Sequence, residues 1–192
     1  MLLLGARAWS DPVAGSLDVH WDEGADDCEA AKQPALQIHQ YEPQTFVLRQ
    51  SLCSNFEAPL LYLLIGEDEA LLIDTGATED PVQMPLAMTV MSLLPTKGAA
   101  KIPLLVLHTH GHGDHRAADS QFAAVPGVVV VPPEVEHLRT ALSLPQWPEG
   151  VAHIALGGRT VDLIAVPGHQ PAHLIFYDDR TALLFTGDFL LP

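Results

Sequence analysis

The stretch HTHGHGDH, residues 108–115, crowds four histidines and one aspartate into eight positions. It is not a plain histidine run. Gly111 and Gly113 space the side chains, and the apolar segment IPLLVL (102–107) leads straight into it. That segment reads as a buried strand, and α/β folds commonly place their sites at a strand's carboxyl end. His110 and His112 are two apart, so on extended backbone their imidazoles project to one side. Asp114 and His115 follow where a helix over 115–122 is expected to begin. The glycines are expected to let the backbone turn tightly between these side chains. Imidazole nitrogen with carboxylate oxygen suits Zn²⁺, and also Fe, Mn or Co. Four such groups at this spacing do not easily wrap one ion, so two adjacent ions account better for the crowding.

Working outward, LLYLLIG (60–66) and ALLIDTG (70–76) are apolar strands joined by the acidic turn EDE. They read as a hairpin. AHLIFYDDRTALLFTGD (172–188) repeats that plan: apolar strand, acidic turn, Ala-Leu-Leu, then Thr, Gly and Asp. Two similar halves packed sheet to sheet would explain the repetition. TFVLRQ (45–50), VVVVP (128–132) and RTVDLIAVPG (159–168) read as further strands. Helices are expected over 80–94, with Thr78 as N-cap and Pro81 in the first turn, and over 133–142. Strands alternating with helices give an α/β chain with helices covering the sheets.

The composition is that of a folded domain: 192 residues, 48 % hydrophobic and 17 % charged. Asp and Glu number 24 against 9 Lys and Arg, a formal charge of −15. Such a surface repels phosphate backbones, so a small-molecule substrate is expected and nucleic acid is not. No apolar run approaches the ~20 residues that span a bilayer. Residues 1–44 read as an arm lying over a domain formed by 45–192. The start, MLLLGARAWSDP, has a short apolar piece, and Ala6 and Ala8 flank Arg7 as in a cleavage site. The tail of a clipped export signal and an ordinary terminus both fit. Cys28 and Cys53 form no C-x-x-C pair. They read either as unrelated thiols or, in an exported protein, as one disulfide tying the arm to the domain. A periplasmic or secreted location and a cytoplasmic one both stay open.

Thr109-His110-Gly111-His112-Gly113-Asp114-His115 resembles the T-H-x-H-x-D-H motif of the metallo-β-lactamase-fold hydrolases. Other landmarks follow in that superfamily's order. LLIDTG with Asp74 resembles its first motif, VPGHQPAH with His169 its G-H-T-P-G-H motif, and LLFTGD with Asp188 its fourth. The resemblance covers about residues 45–192. It implies an αββα sandwich of two mixed sheets flanked by helices, with the site at one edge of the sheets. It also implies that His110, His112 and His169 hold a first metal, that Asp114 and His115 hold a second, and that Asp188 bridges both. Asp74 would steady the metal loop from behind, and His108 and His173 read as packing or supporting residues. An aspartate at 188 is nearer the glyoxalase II and lactonase branches than the true β-lactamases. Gln170 and Ala172 depart from the usual Thr and Gly. The second half stops soon after Asp188, before the family's last histidine, so the sequence reads as truncated at its C-terminal end.

The expected function is metal-dependent hydrolysis. One or two Zn²⁺ ions, with Fe or Mn as substitutes, would supply a metal-bound hydroxide to attack an ester, lactone, thioester, β-lactam or phosphodiester. Asp114 would orient the hydroxide and take its proton. No G-x-S-x-G nucleophile motif occurs. Two rivals share much the same residues: a mononuclear iron enzyme resembling the persulfide dioxygenases, and a degenerate metal-binding domain without activity.

Overall fold

The computed structural model describes residues 11–190, so the leader-like stretch around Ala6 and Ala8 lies outside them. A short helix α1 (Cys28–Ala31) precedes strands β1 (Leu36–Glu42), β2 (Thr45–Gln50), β3 (Leu60–Ile65) and β4 (Ala70–Ile73). Helix α2 (Leu86–Leu93), a small hairpin of β5 (Thr96–Lys97) and β6 (Ala100–Lys101), and β7 (Leu104–Leu107) follow. The histidine stretch then enters α3 (Gly113–Arg116), a 3₁₀ turn over Ala117–Phe122, β8 (Val128–Val130) and α4 (Val135–Ala141). The second half is β9 (Val151–Ala155), β10 (Thr160–Ala165), β11 (Leu174–Asp178) and β12 (Leu184–Phe185).

Two main sheets result, ordered β1-β2-β3-β4-β7-β8 and β12-β11-β10-β9. The first is mixed, because β4, β7 and β8 run parallel. The second is antiparallel throughout, because only turns and loops, no crossover helix, join its strands. Both expected hairpins form, β3–β4 in one sheet and β11–β12 in the other.

The first sheet is buried on both faces, which explains why β3 and β4 read as continuous apolar runs. Leu48, Leu61, Leu63 and Leu72 pack on one side with Leu86 and Val90 of α2 and Phe122 of the 3₁₀ turn. Leu64, Leu71, Ile73 and Leu107 face the other way, toward Leu163, Leu174 and Phe176 of the second sheet. Ile73 pairs with Leu107, so Asp74 and His108 leave the sheet side by side.

Several local expectations are corrected. The sheet begins at Leu36, inside the segment read as an arm, because LQIHQYE forms a half-exposed edge strand whose polar residues hide its period. Helix α2 starts at Leu86 and not at 80: Pro85 sits at its cap, and a residue before proline avoids helical backbone. Thr78 is no cap; its hydroxyl accepts from Gln50 Nε2 at 2.6 Å. The helix expected over 115–122 is broken at Ala118, which has φ −91° and ψ 16°.

Cys28 and Cys53 form a disulfide, so the arm is tied to the loop after β2. Closing a 25-residue separation is worth about 3.5 kcal/mol in the chain-entropy account. Reduction should therefore lower the thermal midpoint by about 7–14 °C in a domain of this size, and the double serine variant should match the reduced protein. A midpoint indifferent to dithiothreitol would contradict this.

The sheets are stitched at the end away from the histidine stretch. Glu67 and Asp68, in the β3–β4 turn, donate their amides to the carbonyls of Gly157 and Leu156. A Cβ on Gly66 would lie 2.0 Å from the Leu156 carbonyl oxygen, so only glycine allows that approach. Beside it Arg159, 3 % exposed, makes a two-pronged contact with buried Asp178 at 2.7 and 2.8 Å. The same guanidinium donates to the Gln44 carbonyl and the Thr45 hydroxyl of the first sheet.

Candidate metal centre

His110, His112, Asp114 and His115 leave β7 together, and the second half brings two more groups to them. His169 comes from the β10–β11 loop and Asp188 from the turn after β12. His112 Nδ1 lies 3.0 Å from both His110 Nε2 and His169 Nε2. Asp188 Oδ2 lies 3.5 Å from His169 Nε2 and 3.7 Å from His110 Nε2. On the other side, His115 Nε2 is 3.4 Å from both Asp114 Oδ2 and Asp188 Oδ1. Two groups of donors, each within 4.8 Å, thus share one carboxylate.

The donor set fits a cation. Ligands at 2.0–2.1 Å around a tetrahedral ion stand about 3.3 Å apart, close to these separations. Three imidazole nitrogens converging at 3.0 Å would repel through their lone pairs unless a positive charge lay between them. Burial, then the neighbouring His115, pushes the pKa of His110 down to about 3, so its ring is neutral at pH 7 and keeps that lone pair. For His115, burial disfavours the cation. The hydrogen bond and charge of Asp74, with Asp114 and Asp188, outweigh it and raise the pKa.

The supporting residues have distinct tasks. Asp74, 1 % exposed, accepts from the Thr109 amide at 2.7 Å, the Thr109 hydroxyl at 2.8 Å and His115 Nδ1 at 2.8 Å. The last bond fixes the tautomer that leaves His115 Nε2 bare toward the aspartates. His173 stacks on His110 at 5.0 Å, and its Nε2 donates to the Thr186 carbonyl, two residues before Asp188. Burial lowers its pKa. His108 joins neither donor group; its Nε2 bonds Asp119, which also accepts from the Thr75 hydroxyl. Trp147 Nε1 donates to the Pro171 carbonyl and braces the loop of His169.

Two readings of this region change. Gly111 and Gly113 have neither positive φ nor a close neighbour, so the turn does not depend on them. The glycine that matters is Gly187, with φ 50°, where a Cβ would meet Thr109 at 2.6 Å. Gln170 also went unassigned in the sequence. Its side-chain amide meets His112 Nε2 in a short contact, which orients the ring so that Nδ1 faces the other histidines. Its position next to His169 was the only available sign.

The second donor group and the shared Asp188 open on a cavity of about 630 Å³, lined by Asp74, Asp114, His115 and Asp188 and by Tyr62 of β3. Burial, then the charge of Asp74, pushes the Tyr62 phenol up to about 12, so it stays protonated. Its ring packs on Phe185 at 4.5 Å.

Residues 56–192 match the family model described as the metallo-beta-lactamase superfamily. The chain belongs to that superfamily. Its sequence is 29 % identical over 131 residues to a hydroxyacylglutathione hydrolase of Anaeromyxobacter dehalogenans, a match covering 67 % of this chain and 45 % of that protein. An atrochrysone carboxyl ACP thioesterase of Aspergillus chevalieri is 30 % identical over 136 residues, covering 68 % of this chain and 39 % of that protein. The chain therefore spans less than half the length of these curated relatives, both hydrolases by name. Among solved structures, a metallo-beta-lactamase from Cronobacter sakazakii superposes with a TM-score of 0.59 at 18 % identity, covering 85 % of this chain and 66 % of that one. That likeness supports the sandwich fold of the superfamily, which implies divalent-metal binding at the His and Asp cluster.

Proposed function

We propose that the chain is a metal-dependent hydrolase of acyl substrates, with thioesters and esters the first candidates. The observation that carries this reading is the pair of donor groups that share Asp188, with Asp114, His115 and Asp188 lining one cavity. The names of the two curated relatives support the choice of acyl substrates. In this reading His110, His112, His169 and Asp188 hold one divalent ion, and Asp114, His115 and Asp188 hold another, with Zn²⁺ favoured by the nitrogen-rich first set. When bound, the ions supply Lewis acidity, acidifying water and offsetting charge on the substrate oxygen.

The chain's own residues do the rest. Asp114, half-buried on the cavity wall, orients the attacking water and takes its proton. Asp74 keeps His115 in the tautomer that faces the aspartates. The protonated Tyr62 hydroxyl offers a hydrogen bond to a substrate oxygen inside the cavity. No serine or cysteine nucleophile is required. The disulfide supports an oxidising compartment.

Chelator-treated protein should lose turnover across a panel of thioester, ester, lactone, β-lactam and phosphodiester substrates and regain it with Zn²⁺. Metal content per chain should track activity. Turnover unaffected by complete metal removal would overturn the reading. Oxygen consumption with a persulfide by iron-loaded protein would replace it with the oxidative alternative.

A further inference from the structure

The cavity is lined by apolar and acidic side chains, and no Lys or Arg among the described residues lines it. The loop 51–59 with the start of β3 contributes Glu57, Pro59 and Leu60 to the lining, and the segment after β12 contributes Thr186 and Asp188. Leu60 is 37 % exposed, apolar surface that a substrate would cover. Glu57 lines the same cavity, exposed and without an ion-pair partner among the described residues. Its backbone is held in place by the Asn55 side chain, which accepts from the Glu57 amide at 2.9 Å. Five basic side chains pair with carboxylates outside the lining: Arg116 with Glu134, Arg139 with Glu136, Arg159 with Asp178, Arg180 with Glu42, and Lys97 with Asp68. The whole chain carries −15.

We infer that this cavity selects acyl substrates whose flanking group is apolar and uncharged or cationic, and that Glu57 discriminates against anionic ones. The inference rests on the hydrolase reading above and names its substrate class. Ions held by the donor groups would offset Asp114 and Asp188, but Glu57 stands at the mouth, outside both groups. A negative flanking group would meet that carboxylate on entry, inside a surface field of the same sign. A glutathione conjugate, with its two carboxylates, would be a poor fit, and a neutral or ammonium-bearing thioester or ester a good one.

The test uses 4-nitrophenyl butanoates that differ only at the fourth carbon: trimethylammonio, methylsulfonyl or sulfonate. Sulfonate is chosen because it is a weak metal ligand. In the metal-loaded full chain, kcat/KM should fall from cation to neutral to anion. The anion should trail the neutral ester by about tenfold at low salt, the effect of one charge pair several Å apart in a partly screened medium. The gap should shrink at about 0.5 M NaCl. Glu57→Gln should narrow it, and Glu57→Lys should invert it. Calorimetric binding of the matching unreactive anilides reads the same order without turnover. Equal binding and equal kcat/KM for sulfone and sulfonate, or a ratio unmoved by Glu57→Lys, would overturn the inference. Absence of hydrolysis with the binding order intact would instead sink the hydrolase reading alone.

Discussion

Replacing His112 by alanine should empty the site without unfolding the chain. The residue is half-buried, outside both apolar cores, so its loss removes little packing. It does remove the nitrogen that lies 3.0 Å from both His110 and His169. Even a partner behind a ligand is worth ~10–100-fold in metal affinity, so deleting the ligand itself should cost more than ~100-fold and bring turnover to the level of buffer. Gln170→Ala gives a graded comparison: it leaves the nitrogen but frees the ring, and a loss nearer ~10-fold is expected. The check is metal content after dialysis against a buffered chelator, beside the unfolding midpoint of the metal-free forms. Full metal retention by the alanine variant would remove His112 from the site.

The second large effect lies at the other end of the molecule. Arg159→Ala leaves the Asp178 carboxylate buried with its main counter-charge gone, and breaking such a pair costs ~3–5 kcal/mol. It also strips donors from the Gln44 carbonyl and the Thr45 hydroxyl. Urea unfolding should show this as a lower midpoint with an unchanged slope. Combining Arg159→Met with Asp178→Asn removes both charges and should recover much of the loss, because no uncompensated ion remains. A single variant as stable as the parent would mean that water reaches Asp178.

Much of the metal cluster was legible because its members are close in sequence. Four of them fall between His110 and His115, and His169 and Asp188 each end a recognisable strand pattern. Hairpins β3–β4 and β11–β12 were equally plain, since buried strands and acidic turns are local signals. What stayed hidden depends on long-range placement. Asp119 serves both His108 and Thr75, and although the resemblance placed Asp74 behind the metal loop, its bond to His115 spans 41 positions. The Glu57 wall exists only once the loop 51–59 folds against the turn after β12. Strand β1 was missed because polar residues break up the apolar period of a half-exposed strand, and β9 because VAHIA is short, with small and mostly exposed residues. The late start of α2 was readable in principle, since Pro85 was in view.

The two sheets are joined near the donors as well as far from them. Leu174 donates its amide to the Thr109 carbonyl at 2.7 Å, and Gly187 packs against the Thr109 side chain. With Arg159 and the β3–β4 turn closing the opposite end, the sandwich is a box fastened on two sides. The fold is therefore expected to outlast removal of any ion, the reverse of small zinc domains, whose ion is also their fold.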